Sequence, residues 1–167
     1  MATTDHEILC QRELAEYAYK KKKEYGVTFG LSKKAFMKLY DAGEITLSTV
    51  FENLFVTIST AHGGSITKVS EDARDFSNDG DFKIGILKKN GPQRRYVISN
   101  VTNKVGTIYF VGWNWLENKP NFYAIPKHVY GSPKQGIKIM RCKHTGAKTG
   151  GVYNEHCYDT FEEICQL

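Results

Sequence analysis

The sequence predicts an α+β fold: N-terminal helices, then a mixed or antiparallel sheet of about five to six strands, and a short C-terminal helix. Up to Gly64, apolar residues recur every three or four positions, as on the buried face of a helix. After Gly64, the chain changes to short stretches rich in Val, Ile, Phe, Tyr and Trp. Its 167 residues are enough for one domain with a substantial core, so we expect a single domain over residues 1–167.

Three helices are predicted before the sheet. The first starts at Thr4, where Thr4–Glu7 resembles a capping box, and runs to about Tyr25. The second covers Lys33–Asp41, with Ser32 as its N-cap. The third runs from about Leu47 to Thr60, because its apolar residues fall on one helical face.

Six strands are predicted from the enrichment in β-branched and aromatic residues. They are Ser65–Ser70, Asp81–Lys88, Arg94–Val101, Thr107–Trp115, Phe122–Tyr130 and Ile137–Cys142. Asn90-Gly91-Pro92 has the composition of a turn between the second and third strands. A last short helix, Phe161–Gln166, can be capped by Asp159 or Thr160.

Charge is divided unevenly along the chain. Residues 1–81 hold 10 Lys/Arg and 13 Asp/Glu, whereas residues 82–154 hold 13 Lys/Arg and a single acid, Glu117. We call residues 82–154 the basic block. Such a block repels itself unless a polyanion binds it, and nucleic acid is the polyanion we expect. A solvated basic surface is the alternative interpretation of the same composition.

Other functional classes are less consistent with the composition. No apolar run is long enough to span a bilayer and the N-terminus has no apolar signal core, so we expect a cytoplasmic protein without membrane contact. A zinc site is a weak alternative, because adjacent ligands such as His156 and Cys157 point in different directions. Its other ligands would be Cys142 and His144.

An acidic cluster ends where the basic block begins. Five acids lie within eleven residues, namely Glu71, Asp72, Asp75, Asp79 and Asp81. Their mutual repulsion favours a bound cation. Asp81 and Lys83 are two residues apart at the start of a predicted strand, so they share one face. Phe82 and Ile84 share the other face and can enter the core.

Carboxylates next to a lysine suit the hydrolysis of phosphodiester bonds. Carboxylates hold Mg²⁺, which binds a phosphate oxygen and lowers the pKa of a water. A lysine can position or deprotonate the attacking water, or neutralise charge that develops on the phosphorus. The alternatives are a solvated acidic turn and a calcium-binding loop, although the regular spacing and terminal Glu of such a loop are missing.

Asp81-Phe82-Lys83 resembles the acid-x-Lys motif of the PD-(D/E)XK nuclease superfamily, in the form found in compact type II restriction endonucleases. In that family an acid at a turn precedes the motif, and either Asp72 or Asp75 matches that position. Glu52 matches a glutamate that the family often places on a helix before the sheet. The chain departs from the family in having no proline before the first Asp, and Asp rather than Glu as the second acid.

The resemblance implies a restriction-endonuclease-like core over residues 47–115, between a helical part (1–46) and a basic C-terminal part (116–167). It implies a Mg²⁺-dependent endonuclease of restriction or phage type that cuts double-stranded DNA at specific sequences. Asp81 and Asp75 or Asp72 would hold the metal, Lys83 would activate water, and Glu52 would support the site. One active site per chain implies a homodimer for cutting both strands.

Basic and amide side chains in the basic block are candidates for DNA contacts. They are Lys88, Lys89, Arg94, Arg95, Asn103, Lys104, Lys138, Arg141 and Lys143. Two other functions fit the charge pattern. A non-catalytic nucleic-acid-binding module would use the basic block alone, and an interaction protein would use the complementarity of its two charged halves.

Overall fold

The computed structural model describes residues 4–68, 76–89, 91 and 93–167, and in them it confirms the α+β fold. Five α-helices are found in this part of the chain: α1 (Asp5–Glu24), α2 (Lys33–Asp41), α3 (Leu47–Ala61), α4 (Lys127–Tyr130) and α5 (Phe161–Cys165). The predicted caps form, because Thr4 Oγ1 accepts a hydrogen bond from the Glu7 amide and Ser32 Oγ accepts one from the Ala35 amide. None of these helices is both long and apolar enough to cross a membrane.

Six strands in the described residues form two sheets. They are β1 (Asp81–Ile86), β2 (Arg94–Ile98), β3 (Ile108–Asn114), β4 (Lys119–Ile125), β5 (Ile137–Arg141) and β6 (Cys157–Tyr158). The larger sheet has the order β1-β3-β4-β6, with β1 parallel to β3 and the other pairs antiparallel. The smaller sheet is an antiparallel ribbon of β2 and β5.

Several predicted strands differ from the structure, and Arg94–Val101 ends three residues early at Ile98. In the predicted strand Ser65–Ser70, Lys68 forms only an isolated bridge to Phe76, and residues 69 and 70 lie outside the described residues. The predicted strand Phe122–Tyr130 ends at Ile125, since Pro126 fixes its own backbone angle and precedes the short helix α4. Strand β6 was not predicted, because two residues are too short to show a periodic pattern.

The larger sheet has two buried faces. The helix face carries α1, α3 and α5, and α3 contacts β1 through the rings of Phe51 and Phe55 against Phe82. The ribbon face carries the β2–β5 ribbon, whose Tyr96 packs edge-on against Phe110 of β3. Strands buried on both sides explain why β3 is apolar along nearly its whole length.

Candidate active site

Asp81 and Lys83 lie together at the start of β1, on the ribbon face of the sheet. Their Cα partners on β3 are Ile108 and Phe110, which belong to the core under the ribbon. Phe82 between them packs on the helix face. The alternation expected of a strand therefore places the carboxylate and the ammonium on one face, with Lys83 Nζ 3.6 Å from Asp81 Oδ2.

The Asp81 carboxylate is buried, with only 1% of the residue exposed. Its Oδ1 accepts a hydrogen bond of 2.8 Å from the Phe82 amide. Its Oδ2 accepts no hydrogen bond from the described residues, although Lys104 Nζ lies 3.1 Å away as an ion-pair partner. Buried carboxylate oxygens are usually hydrogen-bonded, so this oxygen is one that an electropositive ligand could occupy.

Lys104 reaches Asp81 from the loop between β2 and β3, which we call the 99–107 loop. Val101 anchors this loop in the core under the ribbon and accepts a hydrogen bond from the Lys104 amide at 3.1 Å. The Asp81 amide donates to the Thr107 carbonyl at 3.0 Å, which joins the loop to the first residue of β1. These contacts fix the backbone from which the Lys104 side chain extends.

Gly106 lets the same loop pack tightly against the turn that precedes β1. A Cβ at Gly106 would lie 2.2 Å from the Asp79 carbonyl oxygen and 2.7 Å from the Gly80 nitrogen. On its other side, the Gly106 carbonyl accepts a hydrogen bond of 2.6 Å from the Tyr130 hydroxyl. The loop is therefore held between the turn and α4.

Tyr130 is a buried neighbour of the two charged groups. Burial raises the pKa of its phenol, the negative charge of Asp81 raises it further, and the positive charge of Lys104 opposes this. A phenol that stays protonated can keep donating its hydrogen bond to the Gly106 carbonyl. Tyr130 therefore positions the 99–107 loop.

Glu52 occupies a different environment from Asp81. It lies on α3, which packs on the helix face, and it is buried with an ion-pair distance of 3.6 Å to Lys68. No contact between Glu52 and Asp81 is found among the described residues. Its supporting role in the site stays a prediction.

The two candidates for the first metal ligand, Asp72 and Asp75, lie outside the described residues. Within the part of the chain that the structure describes, no group of three or more His, Cys, Asp or Glu side chains could hold a metal ion. This includes the weak zinc alternative at Cys142, His144, His156 and Cys157, all of which are described. Among the described residues, Asp81 Oδ2 is the only buried carboxylate oxygen without a hydrogen-bond partner.

The predicted DNA-contact residues divide between the two ends of β1. Near Asp81, which we call the near end, are Asn103, Lys104 and Lys138. Lys138 pairs with Val97 just before the 99–107 loop. We call the opposite end of β1 the far end; the rise per residue of a strand places it roughly 20 Å away. The other exposed or half-buried residues of the set lie there. They are Lys88, Lys89, Arg94, Arg95 and Lys143.

Arg141 was predicted to contact DNA, but the structure buries it to 5% exposure. Its guanidinium donates to the Gly146 carbonyl at 2.9 Å, the Tyr123 hydroxyl at 3.0 Å and Glu117 Oε1 at 3.1 Å. All three guanidinium nitrogens are engaged inside the protein. Because it faces the core rather than solvent, we leave Arg141 out of the candidate DNA surface.

Lys104 and Tyr130 were not predicted to lie near Asp81. Lys104 was predicted as a DNA contact, and it lies 23 positions after Asp81 in the sequence. No local pattern links residues that far apart, since their proximity depends on the pairing of β1 with β3. The polar composition of the 99–107 loop between two apolar strands was the one available signal.

Comparison of the chain with known protein families, with curated proteins and with solved structures gave no match.

Proposed function

We propose that this protein is a Mg²⁺-dependent endonuclease that hydrolyses phosphodiester bonds of double-stranded DNA. The observation that carries the proposal is the buried Asp81 carboxylate, whose Oδ2 accepts no hydrogen bond from the described residues while two ammonium groups face it. A purely structural ion pair in the interior is normally completed by hydrogen bonds. An incomplete one at the end of a sheet is more consistent with a site for a ligand.

Charge around the near end supports an anionic substrate. Lys127, Lys134 and Lys138 lie on the segment that contains α4 and β5, and the Thr102 hydroxyl donates to the Pro133 carbonyl at 3.4 Å to join that segment to the 99–107 loop. The single acid of the basic block, Glu117, is paired with Arg141 at the far end. Basic groups surrounding a buried carboxylate favour the approach of a phosphate backbone.

In the proposed mechanism Asp81 Oδ2 is a metal ligand, with Asp72 or Asp75 as the expected second ligand. Bound Mg²⁺ would supply Lewis-acid activation of the phosphodiester and of the attacking water. Lys83, held on the same strand face, would orient the water and place positive charge beside the phosphorus as negative charge develops there. A homodimer would bring two such sites to the two strands.

The proposal is tested by incubating the full chain with supercoiled plasmid and with several genomic DNAs of high sequence complexity, in Mg²⁺ and in EDTA. Asp81→Asn and Lys83→Met are compared with Lys20→Met, which removes one positive charge from an exposed position on α1. We expect Mg²⁺-dependent cleavage by the parent and by Lys20→Met, and a loss of at least about 1000-fold in both site variants.

Three outcomes are distinguishable. DNA binding by an uncut parent would favour the non-catalytic binding module. Undiminished cleavage by Asp81→Asn would place the active site elsewhere in the chain. Absence of both cleavage and DNA binding by the parent would reject the nucleic-acid function.

A further inference from the structure

Two lysines converge on one carboxylate oxygen in the candidate site. Asp81 Oδ2 lies 3.1 Å from Lys104 Nζ and 3.6 Å from Lys83 Nζ. A divalent cation bound to this oxygen would sit at about 2.1 Å from it. Such a cation would be repelled by an ammonium group in its present place, so cation binding favours a lysine side chain that moves away.

Of the two lysines, Lys104 lies closer to Asp81 Oδ2 and is the more exposed to solvent. Its ammonium is nearer to Oδ2, so it meets the larger repulsion. Its side chain is 25% exposed, compared with 19% for Lys83. Its neighbours Asn103 and Val105 are exposed, so the loop that carries it lies at the surface.

The contacts of the 99–107 loop fix the backbone position from which the Lys104 side chain extends. Gly106, Val101 and Thr107 attach the loop to the turn, the core and β1 by the contacts described above. The Lys104 side chain has four rotatable bonds beyond this fixed backbone. A different rotamer of this side chain would place the ammonium elsewhere while the Cα stays in place.

We infer that Lys104 is a competitive counter-ion of Asp81, which occupies the carboxylate until a divalent cation binds and then moves to the DNA phosphate beside it. The inference rests on the proposed function for its second half, the move to phosphate. The first half concerns the protein alone: an ammonium and a divalent cation compete for the same oxygen. It predicts that removing Lys104 improves metal binding while it impairs DNA cleavage.

The first test titrates the full chain with Mg²⁺ and, separately, with Mn²⁺ by calorimetry, without DNA. We expect Lys104→Met to bind about tenfold more tightly than the parent, because a competing charge is removed from the ligand oxygen. Lys104→Arg, which keeps the charge, should bind with nearly parental affinity. Asp81→Asn should lose the binding, and Lys20→Met should bind like the parent.

Equal or weaker metal binding by Lys104→Met would overturn the inference, as would the absence of Asp81-dependent binding in both parent and variant. Circular dichroism checks that Lys104→Met is folded, and Lys104→Gln is the second variant if it is not. A lysine that only holds the fold together would weaken metal binding when removed, which is the opposite sign.

The second test measures DNA cleavage in saturating Mg²⁺. We expect Lys104→Met to cut about 100-fold more slowly than the parent despite its tighter metal binding. If Lys104→Met cleaves DNA at the parental rate, the inferred move of the Lys104 ammonium to the phosphate is wrong. If the parent binds metal through Asp81 but cuts no DNA, the proposed function fails while the competition result still decides the role of Lys104.

Discussion

Two buried charged clusters lie on the ribbon face of the sheet, at opposite ends and about 20 Å apart along β3. At the far end, Arg141 donates hydrogen bonds from all three nitrogens, to Glu117, Tyr123 and the Gly146 carbonyl. At the near end, Asp81 Oδ2 accepts no hydrogen bond from the described residues. Both clusters contain a buried charged group, and they differ in whether Arg141 or Asp81 has its hydrogen bonds completed by the protein.

Neutral side chains add further hydrogen bonds to the far cluster. The Asn114 side-chain nitrogen lies 2.8 Å from both Glu117 Oε1 and the Gly146 carbonyl, and the Tyr123 hydroxyl donates to Asn154 at 2.9 Å. Burial raises the pKa of the Tyr123 phenol, so this hydroxyl stays a donor. The hydrogen bonds of Arg141 are therefore completed within the protein, whereas Asp81 keeps an oxygen to which a ligand could bind, as the proposed function requires.

Arg141→Met should have the largest effect on stability. It removes three hydrogen bonds and leaves Glu117 without its cationic partner, which costs about 3–5 kcal/mol and lowers the melting temperature by about 10 °C. Thermal and urea unfolding followed by circular dichroism measure this. A variant as stable as the parent would show that the far cluster contributes nothing and would remove the contrast between the two ends.

Gly106→Ala should have the next largest effect. Its added Cβ would meet the backbone of Asp79 and Gly80, which can relieve the contact only by moving the 99–107 loop, at a cost of about 1–3 kcal/mol. The control is Gly150→Ala, because nothing lies within 4 Å of a Cβ at Gly150. Equal unfolding free energies for the two variants would contradict a tightly packed loop.

Asp81→Asn should change the free energy of unfolding by less than about 1 kcal/mol, because Oδ1 keeps the Phe82 amide and Oδ2 accepts no hydrogen bond from the described residues. The two lysines that lose their anionic partner are partly exposed, so water can solvate their ammonium groups. The same urea titrations measure this variant beside Arg141→Met. A loss of unfolding free energy comparable to that of Arg141→Met would show that Asp81 stabilises the fold, and the two clusters would then not differ in this respect.

Lys138→Met should have the smallest effect and should act only on DNA binding. Removing one phosphate contact should reduce the slope of log K against log salt concentration by about 0.9, with no change in unfolding. Fluorescence anisotropy of a labelled duplex in EDTA over a range of NaCl concentrations measures the slope. Lys20→Met is the control outside the basic block, and an equal change in both variants would contradict a local DNA contact at the near end.

Much of the fold could be predicted because it depends on local patterns. The caps at Thr4 and Ser32 and the helix Lys33–Asp41 follow from side chains within a few positions of one another. The predicted end of β4 was wrong, because the apolar sequence pattern continues past Pro126 although the strand ends at Ile125. Local signals therefore predicted the elements well and their ends less well.

In the candidate site, too, local patterns predicted some positions and not others. Strand alternation by itself placed Asp81 and Lys83 on one face, because side chains two apart in a strand always share a face. It could not place Glu52, which lies on the helix face, or Arg141, whose burial depends on the packing of the ribbon over the sheet. Those positions depend on which surfaces meet across the core.

The sequence by itself determined the order of helices and strands, the segregation of acids from the basic block, and the shared face of Asp81 and Lys83. Only the tertiary structure decided that Lys104 meets Asp81, that Arg141 is buried, and that the basic residues divide between two ends of β1. The physical reason is the sequence separation over which each kind of interaction acts. Periodicity and capping act over a few residues, whereas the register of β1 on β3 and the packing of the 99–107 loop join positions more than 20 residues apart.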